Sequence, residues 1–196
     1  MLDVPEAMAR KFAGRHRTYL TRRFDRGASG QRRHFASTMT LLQRSDGDDA
    51  ATGASYLEFV ELLTRAGAQP ARDLEQLWRR IVFFMCVSNV DDHLRNHGFL
   101  LQANGWTLAP AYDMNPVETG DGLKLNVSES DNSQSLELSY SVALLFRLKA
   151  LRAKQISRSV IEAVSGWREL ATSVGIPNSQ QEGMRNAFRA AEGAPR

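Results

Sequence analysis

The segment Pro70–Val87 constrains the fold more than any other part of the sequence. Its apolar residues recur at three- and four-residue spacing, which predicts an amphipathic helix, and Pro70 suits a first helical turn. From Ile81 onward every residue of the segment is apolar, so the C-terminal half of this helix should be deeply buried. The helix leads directly into the polar residues 88–96.

Shorter elements are predicted around this helix. A second amphipathic helix is expected at Tyr56–Ala66, where Phe59 and Leu63 lie on one side. Turn-forming residues separate short alternating segments elsewhere, so hairpins are expected at 7–14 with 17–24 and at 98–101 with 105–108. The remaining predictions are a helix at 34–43, a surface or disordered stretch at 45–54, a long loop at 115–134, and helices near 137–150, 155–174 and 179–191.

Composition is that of an ordinary globular protein. The 196 residues are 42% apolar and 24% charged, which suffices for one domain with a buried core. No stretch reaches the roughly 18 apolar residues of a membrane span, and the N-terminus has no apolar core of the signal-peptide type. The one cysteine, Cys86, cannot form an internal disulfide, which indicates a reducing compartment. We therefore expect a cytoplasmic protein.

Basic residues concentrate near the N-terminus, although the formal net charge is only +3. Between residues 10 and 33 the single acid is Asp25, and such a segment attracts the phosphate groups of a nucleotide, a nucleic acid or a phosphoprotein. A solvated pair of basic strands explains the same pattern equally well. The basic residues are Arg10, Lys11, Arg15, Arg17, Arg22, Arg23, Arg26, Arg32 and Arg33.

The polar residues after the buried helix carry the chemistry. Charged groups at the end of such a helix are costly unless they are paired or used. Asp91 is followed five residues later by Asn96, then by the predicted hairpin, and then by Asp113. Protein kinases have this order: an Asp that accepts the substrate hydroxyl proton, an Asn that holds Mg²⁺, and a second metal-binding Asp after a hairpin. The spacing therefore indicates phosphoryl transfer.

Four strings carry a closer resemblance. RFDR at 23–26, RRHFAS at 32–37, NVDDHLRNHGFLL at 89–101 and LAPAYDMNP at 108–116 resemble the HipA-like serine/threonine protein kinases, known as toxins of bacterial toxin–antitoxin pairs. Residues 91–96 match the family motif D-x-H-x-K-N, with Arg95 keeping the positive charge of the usual lysine. The resemblance implies an α+β, mainly α fold: the helical C-terminal lobe of a protein-kinase-like domain, with short β-hairpins.

The resemblance also implies a role for each matching residue. Asp91 would be the catalytic base, and Asn96 and Asp113 would bind Mg²⁺. The backbone of the hinge between the two lobes would bind the adenine of ATP, and Arg22 there departs from the acidic residue that we expect. The implied nucleotide-binding residues are Arg22, Arg23, Phe24, His93, Arg95, Asn96, Tyr112 and Asp113.

The pattern departs from the family upstream of the hinge. The 21 residues before Arg22 contain no glycine-rich phosphate loop, and Lys11 lies too close to the hinge to be the strand lysine. Because positioning dominates phosphoryl transfer, we expect low activity from the chain alone. Residues 1–26 should be a hairpin and hinge remnant, and residues 27–196 the catalytic lobe. The implied partners are a HipB-like helix-turn-helix antitoxin that makes the DNA contacts, a separate N-lobe subunit, and a protein substrate.

Simpler interpretations stay open for several residues. Asp91 and Asn96 alone fit an Asx turn at a helix end. Asp92 fits a structural acid better than a second base, and His93 with His97 would suit zinc only on a shared helix. Asp25 and Arg26 form either a strand-end ion pair or a contact that binds ribose or bridges the two lobes.

Two further functions remain open at this point. One is a non-catalytic, pseudokinase-like module that engages an antitoxin or a separate N-lobe subunit. The other is a metal-dependent hydrolase built on the Asp/His cluster.

Overall fold

The computed structural model of the protein describes residues 1–10 and 18–192. Two small antiparallel sheets accompany a group of helices that surrounds one long, buried helix. The strands are β1 (Ala7–Arg10), β2 (Thr18–Thr21), β3 (Phe35–Ser37), β4 (Gly98–Gln102) and β5 (Gly105–Leu108). The helices are α1 (Thr38–Leu41), α2 (Tyr56–Ala66), α3 (Pro70–Val87), α4 (Leu136–Val142), α5 (Ala150–Ser165), α6 (Trp167–Ser173), α7 (Asn178–Gly183) and α8 (Arg189–Glu192).

Helix α3 forms the centre of the core, as its apolar spacing predicts. It has Pro70 in its first turn, and Leu77, Trp78 and Ile81 are completely buried. Helices α2, α4, α5 and α8 pack around it. Burial of this apolar surface, worth roughly 25 cal/mol per Å², is the main force that holds the helices together.

The larger sheet has the strand order β3–β4–β5 and is antiparallel. The predicted hairpin at 98–108 is its β4–β5 half, in which Gln102 pairs with Gly105. Gly105 has a φ of 138°, and a β-carbon there would lie 2.5 Å from the Ala66 carbonyl oxygen, so only glycine fits this turn.

The predicted helix at 34–43 is wrong in its first half. Residues 35–37 form the edge strand β3, in which Phe35 pairs with Leu100, and only Thr38–Leu41 is helical. Ser37 makes the transition, because its hydroxyl accepts a hydrogen bond from the Thr40 N–H and caps the helix.

Strands β1 and β2 form the predicted N-terminal hairpin, though each is only four residues long. Every residue of both strands is exposed. The turn predicted between them, with Lys11, Arg15 and Arg17, lies outside the described residues.

The polar segment 45–54 lies at the surface and is structured, so of its two predicted alternatives the surface stretch agrees with the structure and the disordered stretch does not. It contains a 3₁₀ turn at Ala50–Thr52, and the Asp49 side chain caps this turn by accepting from the Ala51 N–H at 2.9 Å. The other Asp49 oxygen lies 3.0 Å from Lys124 Nζ. Residues 115–134 contain no helix or strand, as predicted, and all of them are described.

The C-terminal helices are more broken than predicted. Helix α4 ends at Val142 and α5 begins at Ala150, and Arg147 takes a left-handed backbone conformation between them (φ 61°). Gly166 ends α5 and separates it from α6, so the helix predicted at 155–174 is two helices. Among the described residues, no helix has the length and apolar character needed to cross a membrane.

Candidate active site

The end of α3 sets the direction of the polar loop. Ser88 follows the helix with a φ of 50°, and its N–H still bonds to the Phe84 carbonyl. The Asn89 N–H donates to the same carbonyl at 2.9 Å, so the chain turns sharply away from the helix axis. Residues 88–97 form a tight loop that passes through a 3₁₀ turn at Leu94–Asn96 and leads into β4.

Asp91 and Asn96 are joined across this loop. Asn96 is only 7% exposed, and its Nδ2 donates to the backbone carbonyl of Asp91 at 3.2 Å. The bond reaches back five residues, whereas an Asx turn joins a side-chain oxygen to the backbone two residues on. Because the amide nitrogen is used, Oδ1 is the Asn96 atom left to bind a metal ion. Asp91 is exposed, so its carboxylate is accessible to a reactant.

Asp113 follows a tyrosine that contacts the same loop. Tyr112 Oη donates to the backbone carbonyl of Arg95 at 2.8 Å, which brings residues 112 and 113 to the turn that carries Asn96. Burial raises the pKa of Tyr112 to about 12, so this hydroxyl stays protonated and continues to donate. Asp113 is exposed with a φ of 55°, and its Oδ1 accepts from Asn115 Nδ2 at 2.7 Å. The other carboxylate oxygen of Asp113, Oδ2, takes no part in this hydrogen bond.

Two buried charged residues of α3, neither of them among the residues predicted for the site, support this segment. Arg80 is 1% exposed and donates from Nη2 to the Ala109 carbonyl. Asp73 is equally buried, and its Oδ2 accepts from Thr107 Oγ1 at 2.8 Å and from the Leu108 N–H at 3.0 Å. Burial lowers the pKa of Arg80 to about 10 and raises the pKa of Asp73. The sequence does contain one indication of this contact, because Arg80 lies within the apolar face of the predicted helix.

A second buried polar group lies beneath the loop. Asp92 Oδ2 accepts from Tyr56 Oη at 2.7 Å and lies 2.6 Å from His97 Nε2. The structural role predicted for Asp92 agrees with these contacts. The zinc pair of His93 and His97 is contradicted, because His97 is turned into the core against Asp92. Within the described residues no three His, Cys, Asp or Glu side chains are arranged to hold a metal.

The predicted hinge follows β2. The Arg22 N–H donates to the Glu6 carbonyl at 2.8 Å, and the two side chains pair at 3.1 Å. The adenine contact expected from the backbone of Arg23 and Phe24 stays a prediction. The Phe24 ring stacks on Tyr112, with centroids 5.7 Å apart, so the hinge segment lies against the segment that carries Asp113.

Asp25 is the centre of an ion-pair group beside the hinge. Arg23 donates to it twice, at 2.8 and 2.5 Å, and Arg26 donates at 2.6 Å. The hydrogen bond from Arg23 is the largest of the effects that lower the pKa of Asp25 to about 2. The ion-pair interpretation of residues 25 and 26 therefore agrees with the structure.

The remaining loop residues, His93 and Arg95, contact each other. Arg95 Nη2 lies 3.3 Å from His93 Nε2, and the same guanidinium pairs with the Asp46 carboxylate. A guanidinium only donates, so His93 Nε2 is the acceptor. The Arg95 side chain is 44% exposed, and an incoming anion can therefore compete with Asp46 for it.

These donor atoms fit Mg²⁺ and a phosphate-bearing ligand. Mg²⁺ requires oxygen ligands and commonly takes one or two protein side chains together with phosphate oxygens. Asn96 Oδ1 and the second carboxylate oxygen of Asp113 are ligands of this type, on segments joined by the hydrogen bond between Tyr112 and Arg95. Asp91 then remains available for proton transfer.

Comparison with known proteins places the fold in a family. The structure is similar to HipA in a solved complex of the Shewanella oneidensis MR-1 toxin–antitoxin system with HipB and operator DNA, with a TM-score of 0.75 and 15% identity. The match covers 97% of this chain, which spans about half (50%) of that chain. The curated "Putative kinase Y4mE" of Sinorhizobium fredii is 36% identical over 62 residues, 32% of this chain and 15% of that protein. The model of the HipA-like C-terminal domain matches residues 1–184, and the chain therefore belongs to the family of HipA-like C-terminal domains.

Proposed function

We propose that this chain is the catalytic lobe of a protein kinase that transfers phosphate from ATP to a serine or threonine of a protein, with Mg²⁺. One observation supports this most directly: the Asn96 side chain is bonded to the Asp91 backbone, and Tyr112 ties the Asp113 segment to the same turn. The order of these residues and their attachment to one loop support a kinase active site.

Each residue then has a distinct task. Asp91 accepts the proton of the attacking hydroxyl, which needs an accessible carboxylate within hydrogen-bond reach. Asn96 and Asp113 bind Mg²⁺ through their free oxygens, and Arg95 offers a cation to phosphate. When bound, Mg·ATP supplies the transferable phosphoryl group. The backbone at Arg23 and Phe24 contacts adenine.

The remaining binding residues support this group in our proposal. His93 fixes the Arg95 side chain, and Tyr112 holds the Asp113 segment against the loop. Arg22 anchors the hinge to β1 through Glu6. The proposed transfer also requires a phosphate-covering loop and a strand lysine, for which the proposed source is a separate N-lobe subunit.

The proposed regulatory partner is a HipB-like helix-turn-helix antitoxin, with DNA contacted through it. The similar solved structure contains HipA together with HipB and operator DNA, which supports an antitoxin partnership for this family.

The decisive experiment measures transfer of labelled γ-phosphate to a protein substrate, with the chain supplemented by the N-lobe elements. Asp91→Asn should reduce the rate by a factor of about 10² to 10⁴, the usual contribution of a general base. Asp121→Asn is the matched control, because Asp121 is a fully exposed acid, and it should label like the wild type. Equal labelling by Asp91→Asn contradicts the proposal, and nucleotide binding without transfer by the wild type favours the non-catalytic binding module.

A further inference from the structure

A buried chain of three hydrogen-bonded side chains lies directly beneath the 91–96 loop. Tyr56 Oη and His97 Nε2 approach the same oxygen of Asp92, at 2.7 and 2.6 Å. All three residues are at most 1% exposed. Because an ionised carboxylate only accepts hydrogen bonds, His97 Nε2 carries the proton in its contact with Asp92. None of the three has a task in the proposed chemistry.

The Asp92–His97 contact is offset by one residue from the bond between the Asn96 side chain and the Asp91 carbonyl. Each contact spans five residues, and the two pairs are immediate neighbours along the chain. The loop is therefore closed twice, once by Asn96 beside the exposed Asp91 and once by the fully buried Asp92 and His97. Asp92 is completely buried while Asp91 beside it is exposed, so anchoring one carboxylate inward leaves the other directed outward.

His97 contacts three other elements. Its ring meets the rings of Tyr56, Phe59 and Phe84 edge-on, with centroids 5.9, 4.9 and 5.9 Å apart. Its backbone carbonyl accepts from the Thr38 N–H at 2.9 Å and from Thr38 Oγ1 at 3.3 Å. The buried end of the loop is thus attached to α1, α2 and α3 at once.

We propose that Asp92 and His97, with Tyr56, are positioning residues that hold the loop so that Asp91 faces the reactant and Asn96 presents its oxygen to the metal. The catalytic part of this inference rests on the proposed kinase function. Mutating a residue that orients a metal ligand, without binding the metal itself, typically changes metal affinity or activity by about 10- to 100-fold.

A test must separate positioning from simple support of the fold. Removing one partner leaves a buried group unpaired and destabilises the protein, whereas replacing a whole buried ionic group by apolar residues often preserves stability. The variant of choice is therefore the triple Tyr56→Phe, Asp92→Leu and His97→Phe. Tyr140→Phe is the matched control, since Tyr140 Oη bonds to Ser157 Oγ at 2.5 Å elsewhere in the protein.

The first readout is hydrogen exchange in the loop. The His93 N–H bonds to the Asp91 carbonyl and the Asn96 N–H to the His93 carbonyl, both at 2.9 Å. In the triple variant these two amides should exchange at least about tenfold faster, while the unfolding midpoint stays near that of the wild type. The second readout is the affinity for Mn²⁺ alone, measured by water-proton relaxation. In the triple variant this affinity should fall by about 10- to 100-fold.

The outcomes separate this inference from the proposed function. The positioning role is overturned if the folded triple variant has the loop exchange rates and the Mn²⁺ affinity of the wild type. This holds even if Asp113→Asn abolishes Mn²⁺ binding, which would support the metal site by itself. Wild-type protein that binds no Mn²⁺ overturns the metal site instead, and loop exchange still decides whether Asp92 and His97 order the loop. If the triple variant does not fold, His97→Gln, which keeps a donor for Asp92, must protect the loop amides better than His97→Phe.

Discussion

At the scale of single residues, the Asn96 amide has little freedom. Its nitrogen is committed to the Asp91 carbonyl, so the direction of its oxygen is set by that bond. A carboxylate at this position has two oxygens and no donor, and one oxygen would face the Asp91 carbonyl oxygen. An acid here therefore differs from the amide in geometry as well as in charge.

Asn96→Asp should consequently destabilise the protein. We expect the free energy of unfolding at pH 7 to fall by about 1–3 kcal/mol, the usual cost of losing a partner of a buried polar group, measured by urea denaturation. Asn104→Asp is the control, because Asn104 Nδ2 donates to the Ala68 carbonyl at 3.4 Å in an exposed turn. The control should change by less than about 0.5 kcal/mol, and equal losses would contradict this account.

Asp25 should titrate far below an ordinary carboxyl group. Hydrogen bonds and charge from Arg23 lower its pKa to about 2, so its stabilising effect is complete above the unfolded pKa of about 4 and disappears as the pH falls towards 2. Carboxyl ¹³C shifts measured by NMR give the midpoint directly. In Arg23→Gln the midpoint should rise, and an unchanged midpoint would show that Arg23 is not the cause.

Single-residue predictions succeeded where the information is local. Cys86 is completely buried, as its apolar neighbours predict. The hydrogen bond from Tyr56 to Asp92 joins residues 36 apart, and the contact of Arg80 with Ala109 joins residues 29 apart. Sequence spacing does not predict such long-range contacts, because they depend on how α2 and α3 pack in the folded protein.

At the scale of elements, the start of α2 determines where Tyr56 lies. Ser55 accepts from the Leu57 N–H at 3.1 Å, and Glu58 accepts from the Ser55 N–H at 3.1 Å, which is a capping box. The Ser55 hydroxyl also donates to the Asn126 carbonyl at 3.1 Å. One serine therefore fixes both the helix start and the long loop beside it.

Ser55→Ala should cost more stability than loss of an ordinary cap. We expect a loss of about 1–2 kcal/mol in the free energy of unfolding, measured by thermal or urea denaturation. Ser135→Ala is the matched control, since Ser135 caps α4 by accepting from the Leu138 N–H at 3.2 Å, and it should cost about 0.5–1 kcal/mol. A larger loss in the control would show that the contact with residue 126 adds nothing.

Long elements were easier to predict than short ones. Helices α2 and α3 begin and end where the apolar spacing predicts. The three residues of β3 fit a helix pattern equally well, and only pairing with β4 decides their conformation. The order of Asp91, Asn96 and Asp113 is visible in the sequence. The contact of Asp92 with His97 beneath the loop could not be predicted, because it depends on the tertiary structure.

At the scale of the whole molecule, the core is one connected cluster. Its buried members extend from Ala54 through α2 and α3 to Ala191 in α8, and the sheet contributes Phe99 and Leu108. The described residues of β1 and β2 are all exposed and belong to none of it. The boundary predicted near residue 26 remains a prediction, but it has a measurable consequence.

The hairpin should open independently of the helical part of the molecule. An isolated two-stranded hairpin is marginally stable in water, so the β1–β2 amides should exchange with an opening free energy close to zero, whereas α3 amides require global unfolding, typically about 5–15 kcal/mol. Native-state hydrogen exchange with mass spectrometry measures both. The Ala111 N–H is an internal reference for the N-terminal segment, because it donates to the Asp3 carbonyl at 2.8 Å. Equal protection of β1–β2 and α3 would make residues 1–26 part of the same cooperative unit and remove the predicted boundary.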